Sequence, residues 1–297
     1  MTTEKRRNRS GARAHKTPGK LLLIGGNEDK AGELRILRTL AAEAGGADAR
    51  IEIITTASSE PERTWQAYEQ AFERIGVGYA KPMHIATRAQ AEAPELIERI
   101  AKSTAILFTG GDQLRITSIL DATPVAEAVR RHFFDDGGFV AGTSAGAAAM
   151  TSTIIYHGES PEALRKGAVM MTGGLALISN AVIDTHFMTR GRIGRLIHVV
   201  TGSPRLIGVG LGEDTGVLLT EGTRFKVVGS GLVIVVDGAS VGYTNVSDVE
   251  PMEVFSVENV RLHVLSSGAG FDLAARAFQP PPDRKRSTRP DDSSGSR

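Results

Sequence analysis

Short apolar runs alternate with amphipathic segments along the first half of the chain. The runs predict buried strands at 20–26, 50–55, 81–85, 105–108 and 139–141. Between them, apolar positions recur at helical spacing and predict helices at 31–44, 61–75, 93–102 and 123–134. Strands that alternate with helices of this length are typical of a mostly parallel sheet with helices on both faces. We therefore predict an α/β fold built on such a central sheet.

The pattern changes after about residue 206. Four β-rich runs follow one another without intervening helices, at 207–211, 216–219, 224–228 and 232–236. Their short Gly/Thr/Ser connections predict hairpins, and so an antiparallel extension of the same sheet. We predict one domain over 19–278. The basic segment 1–18 and the Pro/Ser-rich segment 279–297 lack apolar periodicity, and we expect both to be disordered tails.

Composition narrows the class of protein. The 297 residues are 41% hydrophobic and 23% charged, with a formal net charge of +1, which argues against a nucleic-acid partner. The chain has no cysteine, which excludes disulfides, thiolate metal sites and a cysteine nucleophile, and which fits a cytoplasmic protein. No apolar run reaches the roughly 18–20 residues of a membrane-spanning helix, so we expect no membrane association. The polar N-terminal segment does not resemble a signal peptide.

The sequence Gly142-Thr-Ser-Ala-Gly146 follows the last strand of the first half and leads into alanines. A serine at a sharp strand-to-helix turn is typical of a nucleophile elbow, although such short motifs also occur as ordinary turns. Two other predicted strand ends carry suggestive loops, at 25–29 and 109–113. Neither contains a complete nucleotide-binding motif, so the sequence gives little support to an NTP or dinucleotide cofactor.

A serine nucleophile needs a base and a group that orients the base. Among the seven histidines, His186 stands apart because it lies at the end of the predicted strand 181–187, beside three arginines. Asp184 and His186 are two positions apart, so on a strand they share a face. The arginines are Arg190, Arg192 and Arg195, and their guanidinium groups suit carboxylates.

The best candidate for the orienting acid is Glu213, at the end of the apolar run 207–211. Asp214 and Asp184 are rivals that spacing alone does not exclude. The chain order serine, histidine, acid differs from that of α/β-hydrolases, in which the acid precedes the histidine. The order therefore points to a different serine-hydrolase fold.

Four motifs together resemble the cyanophycinase family. They are Gly110-Gly-Asp-Gln113, Gly142-Thr-Ser-Ala-Gly-Ala147, Asp184-x-His-Phe187 followed by Arg190-x-Arg-x-x-Arg195, and Gly212-Glu213. This family belongs to the dipeptidase E-like serine peptidases, which are related in fold to class I glutamine amidotransferases. The resemblance covers about 19–275. The serine motif is shared with aspartyl dipeptidases, whereas the arginine motif is specific to cyanophycinases.

The resemblance implies roles for individual residues. It implies a catalytic triad of Ser144, His186 and Glu213, with an oxyanion hole formed by the backbone N–H groups of Gly111 and Ala145. The residues that match the substrate-pocket positions of the family are Gln113, Asp184, Arg190, Arg192 and Arg195. One departure is Thr185, where the family has a glutamine, so one pocket contact is expected to differ.

The resemblance also implies a function. Cyanophycin is a poly-aspartate backbone with arginine joined through its α-amine to each β-carboxyl, and the family hydrolyses it to β-Asp-Arg dipeptides. The implied protein is a cytoplasmic serine exopeptidase that needs no cofactor or metal, takes cyanophycin as substrate and forms a homodimer. Three alternatives stay open at this point: an aspartyl dipeptidase, a non-catalytic binding module of the same fold, and a nucleic-acid protein built on the basic N-terminal tail.

Overall fold

The computed structural model describes residues 17–158 and 160–282. The predicted disordered tails therefore lie outside the described residues, apart from 17–18 and 279–282. Fifteen strands occur within the described part of the chain. In chain order they are β1 (Leu21–Ile24), β2 (Arg50–Ile54), β3 (Tyr79–Met83), β4 (Ala105–Phe108), β5 (Phe139–Thr143), β6 (Thr153–His157), β7 (Met170–Gly173), β8 (Ala181–Asp184), β9 (Ile207–Leu211), β10 (Thr215–Thr220), β11 (Arg224–Gly229), β12 (Leu232–Asp237), β13 (Arg261–Ser266), β14 (Gly270–Asp272) and β15 (Ala277–Gln279).

Seven α-helices connect or flank these strands within the same residues. They are α1 (Arg35–Glu43), α2 (Pro61–Ile75), α3 (Pro94–Lys102), α4 (Gln113–Leu120), α5 (Pro124–Phe134), α6 (Ala145–Ala148) and α7 (Ile193–Gly202). Short 3-10 turns occupy Gly46–Asp48, Gln90–Glu92 and Ser160–Glu162.

The central sheet has nine strands in the order β15-β14-β11-β10-β1-β5-β4-β2-β3. The strands β1, β5, β4, β2 and β3 are mutually parallel, and β10, β11, β14 and β15 extend the sheet antiparallel from β1. The predicted α/β fold with a mostly parallel core is confirmed. The carboxyl ends of β1, β5 and β4 lie side by side at one edge, which is where such sheets place their ligand sites.

Alternating residues of the central strands pack into two different hydrophobic clusters. In β1, Leu21 and Leu23 belong to one cluster, while Leu22 and Ile24 belong to the other. All four side chains are at most 1% exposed. Both faces of the sheet are therefore covered, which explains why the strand appears in the sequence as an uninterrupted apolar run.

The predicted extension of the central sheet is only partly right, because a second sheet takes some of its strands. Strands β9 and β12 pair with each other and with β8 and β13, in the order β13-β12-β9-β8. This second sheet packs against α7 around a separate apolar cluster that includes Val182, Val199 and Val236. Strand β9 of the second sheet leads directly into β10 of the central sheet, and β10 begins beside the carboxyl end of β1. The two sheets therefore meet at the edge that also carries the carboxyl ends of β1 and β5.

One predicted helix boundary is wrong and one helix was missed, and both differences have a local physical reason. The helix expected to start at residue 31 starts at Arg35, because the Asp29 carboxylate accepts hydrogen bonds from the N–H groups of Ala31 and Gly32, at 2.9 and 2.6 Å, and folds this stretch into a loop. Helix α4 was not predicted. It begins at the Asp112 cap, whose carboxylate accepts a 2.8 Å bond from the Leu114 N–H.

Candidate active site

Ser144 lies at the turn between β5 and α6, in a backbone conformation that few non-glycine residues adopt. Its φ and ψ are 52° and −117°. The turn is tight because both flanking glycines are in close contact: a Cβ on Gly142 would lie 2.5 Å from the Gly146 carbonyl carbon. The Ser144 N–H donates a 2.9 Å bond to the Ile24 carbonyl of β1. A strained serine held at a strand end in this way is the geometry of a nucleophile elbow.

Ser144, His186 and Glu213 form one hydrogen-bonded line. Ser144 Oγ lies 2.9 Å from His186 Nε2, and His186 Nδ1 lies 2.7 Å from Glu213 Oε1. The hydrogen bond from His186 lowers the pKa of Glu213 against the opposing effect of burial, and bonds from Asn27 and Thr189 add to the lowering. A carboxylate that is ionised at neutral pH can orient an imidazole and stabilise its charged form.

The three side chains reach this line from three strand ends. Ser144 follows β5, while His186 follows β8 and Glu213 follows β9. Strand β8 was predicted to run to 187 but ends at Asp184, and His186 has a φ of 50°. Because this φ breaks the strand alternation, Asp184 and His186 do not share a face, contrary to the prediction: His186 contacts Ser144, and Asp184 contacts the arginines.

The rivals of Glu213 have other partners. Asp214 accepts hydrogen bonds from the Asp29 N–H at 3.1 Å and from the Ser230 hydroxyl at 2.6 Å. Asp184 is bound to the arginine motif. Among the three acids that the sequence left open, the His186 imidazole has Glu213 as its hydrogen-bond partner.

The backbone of the loop after β4 lies close to Ser144. A Cβ placed on Gly110 would lie 3.7 Å from Ser144 Oγ, so this loop passes beside the serine. Gly111 has a φ of 141°, and a Cβ there would lie 2.0 Å from the Ala57 carbonyl oxygen. Across the described ranges, neither the Gly111 nor the Ala145 N–H donates to a protein acceptor. Two such amides are suited to an oxyanion, and that role stays a prediction.

The arginine motif mainly supports the loop that carries His186. Arg192 Nη1 lies 3.1 Å from Asp184 Oδ1 and donates a 2.9 Å bond to the Thr185 carbonyl. Arg195 Nε lies 3.0 Å from Asp184 Oδ2, and the two side chains are only 6% and 3% exposed. Burial raises the pKa of Asp184, and the charges of Arg195 and Arg192 oppose that rise. Asp184 and Arg195 thus lie behind the site, whereas Arg190 is exposed.

Two further pocket positions have local partners. The Gln113 side chain, in the first turn of α4, donates a 3.1 Å bond to the Ile155 carbonyl of β6. Thr185, where the resemblance led us to expect an altered pocket contact, is 5% exposed. The roles of both residues in substrate binding stay predictions.

A cavity of about 440 Å³ opens beside Ser144 and His186. Its wall includes Asn27, Glu28, Lys30, Glu60, Arg63, Thr64, Ala67, Tyr68, Gly110 and Thr143. The sequence marks the loop 25–29 as suggestive but indicates no role for Glu28, Lys30 or Tyr68. Their proximity depends on α2 packing over the loop, which no local pattern records.

The described residues contain neither a metal-binding cluster nor a membrane-spanning helix. No group of three or more His, Cys, Asp or Glu side chains within 17–158 and 160–282 has an arrangement that could hold a metal ion. Over the same ranges, no helix combines the length and apolar character needed to cross a bilayer.

Comparison with known proteins yields relatives over most of the chain. A cyanophycinase from Synechococcus elongatus is 37% identical over 261 residues, which is 88% of this chain and 81% of that protein. One from Trichormus variabilis is 38% identical over 260 residues, 88% of this chain and 87% of that protein. The crystal structure of a peptidase from an acI-B1 actinobacterium shares the fold, with a TM-score of 0.65 at 21% identity, covering 86% of this chain and 97% of that one.

The family model described as peptidase family S51 matches residues 21–228. That range contains the serine turn, His186 and Glu213. The chain belongs to peptidase family S51.

Proposed function

We propose that this chain is a serine exopeptidase that hydrolyses cyanophycin to β-Asp-Arg dipeptides, with Ser144 as nucleophile. One observation carries the proposal: a chain that is 37–38% identical to cyanophycinases over 88% of its length also has Ser144, His186 and Glu213 in one hydrogen-bonded line. The hydrogen-bonded line supports acyl transfer as the chemistry, and the relatives support the substrate.

In the proposed first step, Ser144 Oγ attacks an α-peptide carbonyl of a β-arginylated aspartate while His186 Nε2 takes its proton. Glu213 holds the imidazole and stabilises its positive charge. The amides of Gly111 and Ala145 donate to the oxyanion, each typically worth about 10²–10³ in rate. Collapse of the tetrahedral intermediate breaks the peptide bond, and His186 gives its proton to the departing amine.

In the second step the acyl group is transferred from Ser144 to water. His186 removes a proton from the water, which attacks the ester carbonyl, and the Ser144 oxygen departs with that proton. The enzyme returns to its starting state with one peptide bond hydrolysed. The first proton transfer joins Ser144 Oγ and His186 Nε2, which lie 2.9 Å apart, within the range for general-base catalysis.

The charged side chains of the arginine motif differ in whether they can reach a substrate. Arg190 is exposed in the loop after His186, and we propose that it meets a substrate carboxylate. Arg192, Arg195 and Asp184 hold that loop through their ion pairs and act on binding through its position. Gln113 is proposed as a further pocket contact.

Comparing two substrate classes tests the proposal. The full-length chain should release β-Asp-Arg from cyanophycin and should hydrolyse unmodified Asp-X dipeptides with a kcat/KM that is lower by about 100-fold or more. Faster hydrolysis of the simple dipeptides would instead make the chain an aspartyl dipeptidase. Dialysis against EDTA should leave the rate on cyanophycin unchanged.

Two finer features of the family are also proposed for this chain. The first is a homodimer, and sedimentation velocity of the full-length protein should show a species of twice the 31.5 kDa chain mass. The second is a cytoplasmic location, which the absence of cysteine suits because that compartment is reducing. Fractionation of producing cells would test the location.

A further inference from the structure

A buried carboxylate lies in the wall of the cavity beside Ser144. The Glu28 side chain is 1% exposed. Its Oε2 accepts a 2.6 Å bond from the Thr143 hydroxyl, and its Oε1 accepts one from the Tyr68 hydroxyl. Burial raises the pKa of Glu28, but the charge of Lys30 and the bonds from Thr143 and Tyr68 outweigh it, and the net pKa is lowered. Glu28 is therefore ionised at neutral pH.

Glu28 fixes the ammonium group of Lys30 at the cavity wall. Lys30 Nζ lies 2.9 Å from Glu28 Oε1 and 3.3 Å from the Glu28 carbonyl oxygen. It also lies 4.9 Å from the centre of the Tyr68 ring, within cation–π range. Its side chain is 27% exposed, and it shares the cavity with Ser144 and His186.

The arrangement is suited to receiving an anion. An ammonium group has three N–H donors, and Glu28 accepts two of them, which leaves one for a ligand. A free lysine would lose side-chain entropy on binding, whereas Lys30 is already held in place by its contacts, so a ligand meets a pre-organised donor. The other cation of this cavity, Arg63, is 83% exposed and paired with Glu60 at its rim.

The proposed substrate offers one kind of carboxylate in its repeats. The α-carboxyl of each aspartate forms a backbone peptide bond, and its β-carboxyl forms the amide bond to arginine. The carboxylate that remains in an interior repeat is the α-carboxylate of the arginine. It lies a few bonds from the scissile carbonyl, so attack by Ser144 on that carbonyl brings the carboxylate near the cavity that Ser144 shares with Lys30.

We propose that Lys30 binds the arginine α-carboxylate of the substrate and so helps to determine specificity for arginylated aspartate. This inference rests on the proposed function, because the substrate chemistry comes from it. Glu28 and Tyr68 are positioning residues that hold the ammonium. A lysine that served only as the counter-ion of Glu28 would affect stability without distinguishing one ligand from another.

Calorimetric titration with two matched ligands tests the inference. The protein is the full-length Ser144→Ala variant, which keeps the cavity but does not cleave. The ligands are a two-repeat β-Asp-Arg oligomer and its counterpart built with agmatine, which keeps the guanidinium and lacks the carboxylate. The carboxylate ligand should bind about tenfold or more tightly than the agmatine ligand.

In the double variant Ser144→Ala/Lys30→Met, the ratio of the two ligand affinities should fall to within twofold of one. In Ser144→Ala/Lys30→Arg, most of the preference for the carboxylate ligand should remain. Lys102→Met is the matched control: it removes an exposed lysine paired with Glu98, and it should leave the ratio unchanged. A ratio near one before any change at Lys30, or a full ratio in Lys30→Met, would overturn the inference. The first of these outcomes needs no folded Lys30 variant.

The proposed function is measured separately, as hydrolysis of cyanophycin by the unmodified chain. A chain that degrades cyanophycin but binds both oligomers equally, or binds neither, contradicts the inference alone. A chain that fails to degrade cyanophycin contradicts the proposed function, whatever the two ligands do.

Discussion

Gly26 lies against both Ser144, the proposed nucleophile, and His186, its proposed base, although it takes no part in the reaction itself. It follows β1 with a φ of 97°, and a Cβ built on it would lie 2.5 Å from both Cε1 and Nε2 of His186. The same Cβ would lie 3.2 Å from the Ser144 Cβ. The variant Gly26→Ala therefore pushes the His186 imidazole out of line while Ser144, His186 and Glu213 all remain.

The magnitude follows from the geometry. Ordinary van der Waals contact begins at 3.4 Å, so the His186 ring must move by about 0.9 Å from its place at 2.5 Å. A misplacement of about 1 Å at reacting groups can cost about 10²-fold in rate. The positive φ adds strain of about 1–2 kcal/mol in alanine, and a chain of this size loses about 2–4 °C of Tm per kcal/mol. We expect kcat on cyanophycin to fall about 100-fold with a modest loss of Tm.

Gly76→Ala provides the control for backbone strain. Gly76 caps α2 with a φ of 89°, and a Cβ there meets nothing within 4 Å. This variant should lose Tm to a similar extent and keep its kcat within twofold. Dipeptide release and differential scanning calorimetry on both variants give the two readouts. If Gly26→Ala keeps kcat within threefold of the unmodified chain, the placement of His186 beside Ser144 is refuted.

Three further changes test separate parts of the site. Glu213→Gln removes the charge that stabilises the imidazolium, so kcat on cyanophycin should fall by about 10³-fold or more, and a loss below tenfold would argue against its role. Thr143→Val removes a hydrogen bond to the buried Glu28 carboxylate, so urea unfolding should show a loss of about 1.5–3 kcal/mol, and an unchanged midpoint would contradict this. Asp29→Asn tests pH dependence: the Gly32 N–H and neighbouring amides lower the pKa of Asp29 to about 2. Its stabilising effect is present above its ordinary pKa of 3.8 and is lost as pH falls through about 2. The Tm difference between the two proteins should therefore be constant above about pH 5 and shrink below about pH 4, and a difference independent of pH would contradict this.

The central sheet could be predicted from sequence because its strands are buried on both faces. Leu21 to Ile24 form an uninterrupted apolar run for that reason, and β4 matches its predicted bounds. The second sheet could not be separated from the first, since β9 and β12 are as apolar as the strands of the central sheet. Which strand pairs with which depends on long-range contacts that short runs do not encode.

The site could be predicted where polar residues of suitable chemistry directly follow predicted strands. Ser144, His186 and Glu213 each follow a strand, and polar residues at strand ends were the signal. The role of Asp184 was harder to predict, because the φ of 50° at His186 turns the two side chains apart. The partners of Glu28 were beyond sequence reasoning, because Tyr68 is 40 residues away on a helix whose packing no local pattern specifies.

Incubating the full-length chain with purified cyanophycin and identifying the soluble product by mass spectrometry tests the role of Ser144 most directly. The unmodified chain should release β-Asp-Arg and should lose this activity on treatment with a serine-reactive fluorophosphonate. Ser144→Ala should release no dipeptide and take up no label, with an unchanged circular dichroism spectrum. Dipeptide release by folded Ser144→Ala at the rate of the unmodified chain would contradict the assignment of the nucleophile.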